Sequence, residues 1–109
     1  MGPRQLRSFI AVAEELHFGR AAKRVNLSQP ALSLQISGIE DELQVKLFER
    51  SRRKTELTEA GQIFLQEARD VLQRTEQAIS TVRRAALGEV GTIRIGFIST
   101  AAALNNSGQ

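Results

Sequence analysis

The residues of this chain best placed to do chemistry are cations. Arg50, Arg52, Arg53 and Lys54 fall within five positions, and no acidic residue interrupts them. Such a run is costly unless water or an anion lies opposite, and phosphate is the natural anion. A second basic cluster, Arg20, Lys23 and Arg24, precedes it. An isolated charge run is more often a solvated face; only co-location with an element shaped for a nucleic-acid groove changes that reading. Other candidates are weaker. His17 is the one histidine, with no Cys, Asp or second His at ligand spacing, so a helix-boundary role fits it better than proton transfer or metal binding. Glu40, Asp41 and Glu42 suit a solvated helix end. No His–carboxylate–nucleophile set, glycine-rich phosphate loop or metal-ligand spacing is present, which argues against an enzyme.

Bulk properties bound what can position those cations. A chain of 109 residues, 41% hydrophobic and 25% charged, suffices for one small domain plus an accessory element. A net charge of +3 makes only a weak case for nucleic acid, so the distribution of basic residues must carry it. The absence of cysteine removes disulfides, thiol redox sensing and cysteine-ligated metal. No apolar run approaches the roughly 20 residues of a membrane span, and MGPRQLRSF has no hydrophobic signal core. A cytoplasmic protein with no membrane partner is expected.

Leu6, Phe9, Ile10, Ala13 and Leu16 recur at helical spacing, predicting an amphipathic helix from about Arg4 to Leu16. Phe18, Ala21, Ala22 and Val25 begin a second, short helix, and the two alanines permit a close crossing. Asn26 tolerates left-handed geometry at the turn that follows, and Leu27 can plug the core. Ser28 caps a third helix with Pro30 in its first turn. On that helix Leu32, Ile36, Ile39 and Leu43 form one apolar stripe. The opposite face holds Pro30, Leu34, Ser37 and Asp41, flanked by Ser33 and Gly38, with Gln29 at the start. Short polar groups near its N-terminus and carboxylates at its far end suit a helix that enters the major groove N-terminus first.

Leu47 to Arg50 reads as a short strand, Ser51 to Lys54 as a basic turn, and Thr55 to Leu57 as the return strand. Thr58 then caps a helix that runs to about Leu87, ended by Gly88. Along it Phe64, Ala68, Val71, Thr75, Ala78, Val82 and Ala85 step by alternating four and three, with Leu65, Leu72, Ile79 and Ala86 alongside at sevens. This is a coiled-coil seam with a widened face, too long to bury against so small a core, and self-association covers it most economically. Gly91 to Phe97 alternates like a strand but has no partner, so residues 89–109 are expected to be a hinge and the irregular start of a second domain.

These residues resemble the N-terminal winged helix-turn-helix domain of LysR-type transcriptional regulators, over roughly Arg4 to Phe97. The resemblance rests on Leu6, Phe9, Ala13 and Glu14; Phe18, Ala21 and Ala22; Leu27 to Ser33; Gln35, Ile36 and Leu43; and Leu47, Phe48, Arg50, Arg53, Leu57, Thr58, Ala60 and Gly61. It implies a bacterial transcription regulator that binds double-stranded promoter DNA at an interrupted inverted repeat. It further implies a homodimer through antiparallel linker helices, a tetramer in full-length members, and a small-molecule inducer held by an effector domain. No cofactor is expected within these residues.

The expected fold is mainly α: a winged helix-turn-helix of three helices and a two-stranded wing at 1–57, then a coiled-coil-forming linker helix at 58–88. The candidate DNA-contact residues are Ser28, Gln29, Pro30, Ser33, Leu34, Ser37, Arg50, Arg52, Arg53 and Lys54. The candidate dimerisation residues are Phe64, Leu65, Ala68, Val71, Leu72, Thr75, Ala78, Ile79 and Val82. Many family members carry Arg or another polar residue at the position of Leu34. Leucine cannot make a bidentate guanine contact; it can pack on a thymine methyl or be a surface leucine. A reading from a different class, a protein-interaction module whose working part is the long helix, is disfavoured by the basic wing.

Overall fold

The computed structural model describes residues 1–88. Its elements are α1 (Pro3–Glu15), α2 (Phe18–Arg24), α3 (Gln29–Leu43), β1 (Phe48–Arg50), β2 (Thr55–Leu57) and α4 (Glu59–Ala86). The strands pair antiparallel, with Phe48 opposite Leu57 and Arg50 opposite Thr55. The mainly helical class, the winged helix-turn-helix and the long following helix therefore stand as expected. Residues 89–109, expected to be a hinge and the irregular start of a second domain, lie outside the described residues.

Element boundaries follow local chemistry. Leu16 (φ 50), Asn26 (φ 59) and Gln44 (φ 58) close the first three helices in left-handed backbone conformations. Asn26 was expected in that role. Leu16 was expected on the apolar face of α1, but instead ends that helix, and its side chain is 42% exposed. The Ser28 hydroxyl accepts the Ala31 N–H at 3.2 Å, the N-cap its sequence position implies. The Thr58 hydroxyl accepts the Gly61 N–H at 2.9 Å and donates to the Lys46 carbonyl at 2.7 Å, so one side chain caps α4 and ties it to the segment before β1. A Cβ at Gly61 would run into the Leu47 carbonyl, which is why glycine stands at this crossing.

The chain divides into two units, one of Met1–Gln73 and one that begins at Arg74. In the first, Phe9, Val12, Leu32, Ile36 and Leu47 are fully buried. Phe9 packs its ring on Phe48 (centroids 5.4 Å apart) and on Phe64 (4.8 Å), and Phe48 meets Phe18 at 6.0 Å. These four rings join α4, α1, β1 and α2. In the second unit the described residues continue α4 to Ala86, and Gly88 at φ +83 follows, a conformation that favours glycine.

Two expectations about the core are corrected. Leu43, assigned to the buried stripe of α3, is 38% exposed, because the stripe drifts off the core in the last turn. The buried position there belongs to Glu40, four residues after Ile36, which the sequence reading had placed in solvent. Its Oε2 accepts the backbone N–H of Leu47 at 2.8 Å and of Phe48 at 3.3 Å, and its Oε1 lies 3.8 Å from Lys46 Nζ. A carboxylate is tolerated there because those donors satisfy it.

Candidate nucleic-acid interface

The exposed surface of α3 is the one its periodicity assigns. Gln29, Pro30 and Ser37 are exposed, Ser33 is half-buried, and Leu34 stands out at 75% exposure. Gly38 has open space where a Cβ would be, so nothing of the protein crowds this side of the helix. Leu32, Ile36 and Ile39 anchor the opposite side in the core, which fixes the rotation of α3 and so decides which side chains face outward. Ser28 has one lone pair of its hydroxyl oxygen engaged as a cap, and its hydroxyl proton stays available to donate outward.

The wing sorts its four cations into different roles. Its tip is closed by the Ser51 N–H donating to the Lys54 carbonyl at 2.9 Å, and by the Lys54 N–H donating to the Ser51 hydroxyl at 3.3 Å. Arg52 and Arg53 sit exposed at the apex, and no carboxylate lies within ion-pair range of either among the described residues. As expected, no acidic partner lies among residues 50 to 54, but both ends of the run are engaged outside it. Arg50 lies 3.8 Å above the Phe18 ring and stacks the base of the wing on α2. Lys54 pairs with Glu56, just outside the run, at 3.1 Å. That exposed pair is worth only about 0–1 kcal/mol, so a competing phosphate can take the lysine.

Gln29 and the wing come together across a cleft of ≈ 350 Å³. Residues 16–19 and Gln29 line one side and wing residues 50–55 the other, with no carboxylate among them. Donors and cations with no carboxylate in the lining, Lys54 alone being paired with Glu56 just outside it, make this surface complementary to phosphate. The acidic end of α3 lies apart from this cleft: Asp41 and Glu42 are exposed, and only Glu40 is turned inward.

A second ionic cluster is structural. Glu14 on α1 accepts from Arg24 of α2 and from Arg69 of α4, both at 2.6 Å, while Glu15 pairs with Arg20 and Arg24 at 3.4 and 3.3 Å. The hydrogen bond from Arg69, followed by that from Arg24, holds the Glu14 carboxyl below its ordinary range. Arg20 and Arg24, in the first basic cluster of the sequence, are thus engaged within the protein.

The candidate dimerisation residues divide likewise. Ala68 is fully buried in the protein's own core, and Phe64, Leu65 and Leu72 pack against that core. Ala68 keeps no exposed surface within the single chain. Val71, Ile79 and Val82 keep 50%, 43% and 67% of their surface exposed; Thr75 is half-buried and Ala78 exposed. Ile63 and Leu87, outside the expected seam, are exposed at 60% and 75%.

No group of three or more metal-ligating side chains occurs among the described residues, and none of their helices is long and apolar enough to cross a membrane.

Residues 3–62 match the family described as "Bacterial regulatory helix-turn-helix protein, lysR family". The chain is 51% identical over 98 residues to the HTH-type transcriptional regulator AlsR of Bacillus subtilis (strain 168), covering 90% of this chain and 32% of AlsR. It is 48% identical over 97 residues to ClcR of Pseudomonas putida, covering 89% of this chain and 33% of ClcR. The chain thus spans about a third of the length of these relatives. Among solved structures it is similar to the CbnR DNA-binding domain in complex with DNA (TM-score 0.76, 45% identity, 79% of this chain and 99% of that one). It is also similar to the BenM DNA-binding domain on catB site 1 DNA (TM-score 0.75, 41% identity, 79% and 96%). With the four-helix, two-strand architecture described above, the match over residues 3–62 establishes that this chain belongs to the lysR family of bacterial regulatory helix-turn-helix proteins.

Proposed function

We propose that these residues form the DNA-reading part of a LysR-type transcriptional regulator, which binds promoter DNA as a homodimer at an interrupted inverted repeat. One observation carries the proposal: the outward face of α3 starts at Gln29, and Gln29 shares a carboxylate-free cleft with the unpaired guanidinium groups of Arg52 and Arg53. A helix with short polar side chains beside two free cations can dock in the major groove and hold the flanking backbone at once. That the similar CbnR and BenM domains were solved on DNA supports this reading.

In this reading Gln29 and Ser33 contact base edges or adjacent phosphates, Pro30 and Leu34 make apolar contacts, and Ser28 and Ser37 contribute hydroxyls. Arg52 and Arg53 hold phosphates or enter the neighbouring minor groove. Arg50 keeps its stack on Phe18 and offers the edge of its guanidinium, and Lys54 exchanges Glu56 for phosphate. Val71, Ile79 and Val82, spaced along one helix, join two copies, and full-length copies assemble as tetramers. The regulator works in the bacterial cytoplasm.

Selection of bound promoter fragments, followed by titration of a selected fragment and a random duplex across salt concentrations, tests the proposal. A selected fragment should bind at least a hundredfold more tightly than random DNA, and Gln29→Ala should change base preference. Equal affinity for both duplexes at every salt concentration would overturn it.

A further inference from the structure

The interface cleft holds one group that the function above leaves unused: the imidazole of His17, the only histidine in the chain. His17 is the N-cap of α2, and its Nδ1 accepts the Arg20 backbone N–H at 2.9 Å. A backbone N–H can donate only to a nitrogen that carries a lone pair. With Nδ1 taken up as the acceptor, Nε2 is the ring nitrogen placed to donate. That Nε2–H has no protein acceptor among the described residues, and His17 is exposed.

Gly19 makes the ring position possible. A Cβ there would stand 2.9 Å from His17 Cε1 and 3.3 Å from Nδ1, and 3.6 Å from Gln29 Oε1. His17 and the first residue of α3 are therefore neighbours around a position that only glycine fills without a clash. Across the cleft stand Arg50, Arg52 and Arg53. A fixed donor on one side, guanidinium groups on the other and no carboxylate between them form a seat for an anion. Its place beside Gln29 makes that anion a backbone phosphate next to the bases that α3 reads.

We infer that His17 is a phosphate-binding residue, its neutral imidazole donating from Nε2 to a non-bridging oxygen of the DNA backbone. The inference rests on the DNA-reading function proposed above and adds a contact with distinct properties. A phosphate contact carries no base information, so its loss weakens all sequences alike. A neutral donor releases no counterion, so its loss leaves the slope of log affinity against log salt unchanged, whereas loss of an arginine lowers that slope by about one.

With a single histidine in this sequence, 15N labelling of that residue gives the two ring-nitrogen signals of one imidazole. In the free protein Nε2 should be protonated and Nδ1 not. On saturation with a selected promoter fragment, the Nε2–H proton should shift downfield and become protected from exchange. His17→Asn keeps a capping oxygen for α2 but removes Nε2–H. It should bind the promoter fragment and random duplex about tenfold more weakly, with the salt slope unchanged.

An imidazole signal indifferent to saturating DNA, or a His17→Asn protein that binds like wild type, overturns the inference. A slope that falls together with the affinity also overturns it, since the ring would then act as a cation. Failure of the wild-type protein to prefer the promoter fragment is a separate result, read before any variant is made, and it removes the DNA-reading function itself.

Discussion

Glu40→Ala tests the logic that holds the wing in place. Glu40 Oε2 is the acceptor for two backbone N–H groups, those of Leu47 at 2.8 Å and Phe48 at 3.3 Å. Leu47 and Phe48 are only 1% and 5% exposed, so water cannot readily replace the carboxylate. Leaving a buried donor unsatisfied costs about 1–3 kcal/mol; with the longer bond counted at the low end, the pair comes to about 2–4 kcal/mol. The Lys46 contact adds little, because that side chain is 81% exposed. Against the roughly 5–10 kcal/mol of a domain this size, the loss is large. With a urea m-value of about 1–1.5 kcal/mol/M, the unfolding midpoint should fall by about 2 M. Glu40→Gln keeps one acceptor oxygen, trades a charged for a neutral bond, and should cost about 1 kcal/mol. Hydrogen exchange localises the effect: the Leu47 and Phe48 amides should lose protection before the α1 amides do. If Glu40→Ala unfolds within about 0.5 kcal/mol of wild type and Leu47 keeps its protection, the carboxylate is not what anchors β1.

The wing, the linker helix and the ionic cluster each yield a further prediction. Arg52→Ala and Arg53→Ala should each lower the salt slope of DNA binding by about one without changing base preference or thermal stability, as fluorescence anisotropy and a melting curve would read; unchanged slopes would place these groups off the DNA. Val71→Asp combined with Ile79→Asp should dissociate the proposed dimer in light scattering and weaken binding to a two-half-site operator, and an unchanged dimer mass would contradict the proposed seam. Glu14→Gln removes the carboxylate that joins α1 to Arg24 and Arg69, and its effect depends on pH. The folded-state pKa of Glu14 is lowered from 4.5, so its contribution is complete above that value and fades as pH falls through the folded pKa. Solvent screening keeps it to about 0.5–1 kcal/mol at neutral pH. Wild type and variant should therefore differ in urea midpoint at pH 7 and converge in acid; a constant difference down to pH 2 would remove the ionic explanation.

Much of the fold could be read locally. The caps at Ser28 and Thr58, the left-handed turn at Asn26, the proline in the first turn of α3 and the basic wing tip each depend on a few neighbouring residues. The stripe Leu32, Ile36 and Ile39 fixed which side of α3 faces out, and with it Gln29, Leu34 and Ser37. Those features rest on backbone geometry and periodicity, which a sequence carries within one or two turns.

Tertiary structure decided what depends on distant partners. Glu40 looked like part of a solvated acidic end until β1 supplied two amides to its carboxylate; its spacing of four from Ile36 was the one sequence signal of burial. Arg50 and Lys54 belonged to a uniform charge run until Phe18 and Glu56 divided it. Ala68 kept the heptad spacing of a dimer seam yet fills the protein's own core, because a periodic stripe shows that a face is covered and not by what. The pairing of Glu14 with Arg69 spans 55 positions of sequence, and no local pattern encodes it. The sequence by itself determined the caps at Ser28 and Thr58, the turn at Asn26 and the outward side of α3, but not the last turns of α1 and α3. Only the packing of α2, α3 and the wing around one cleft decided which polar groups remain unpaired to meet DNA, because a donor is free only when every neighbour in space, near or far in sequence, has found another partner.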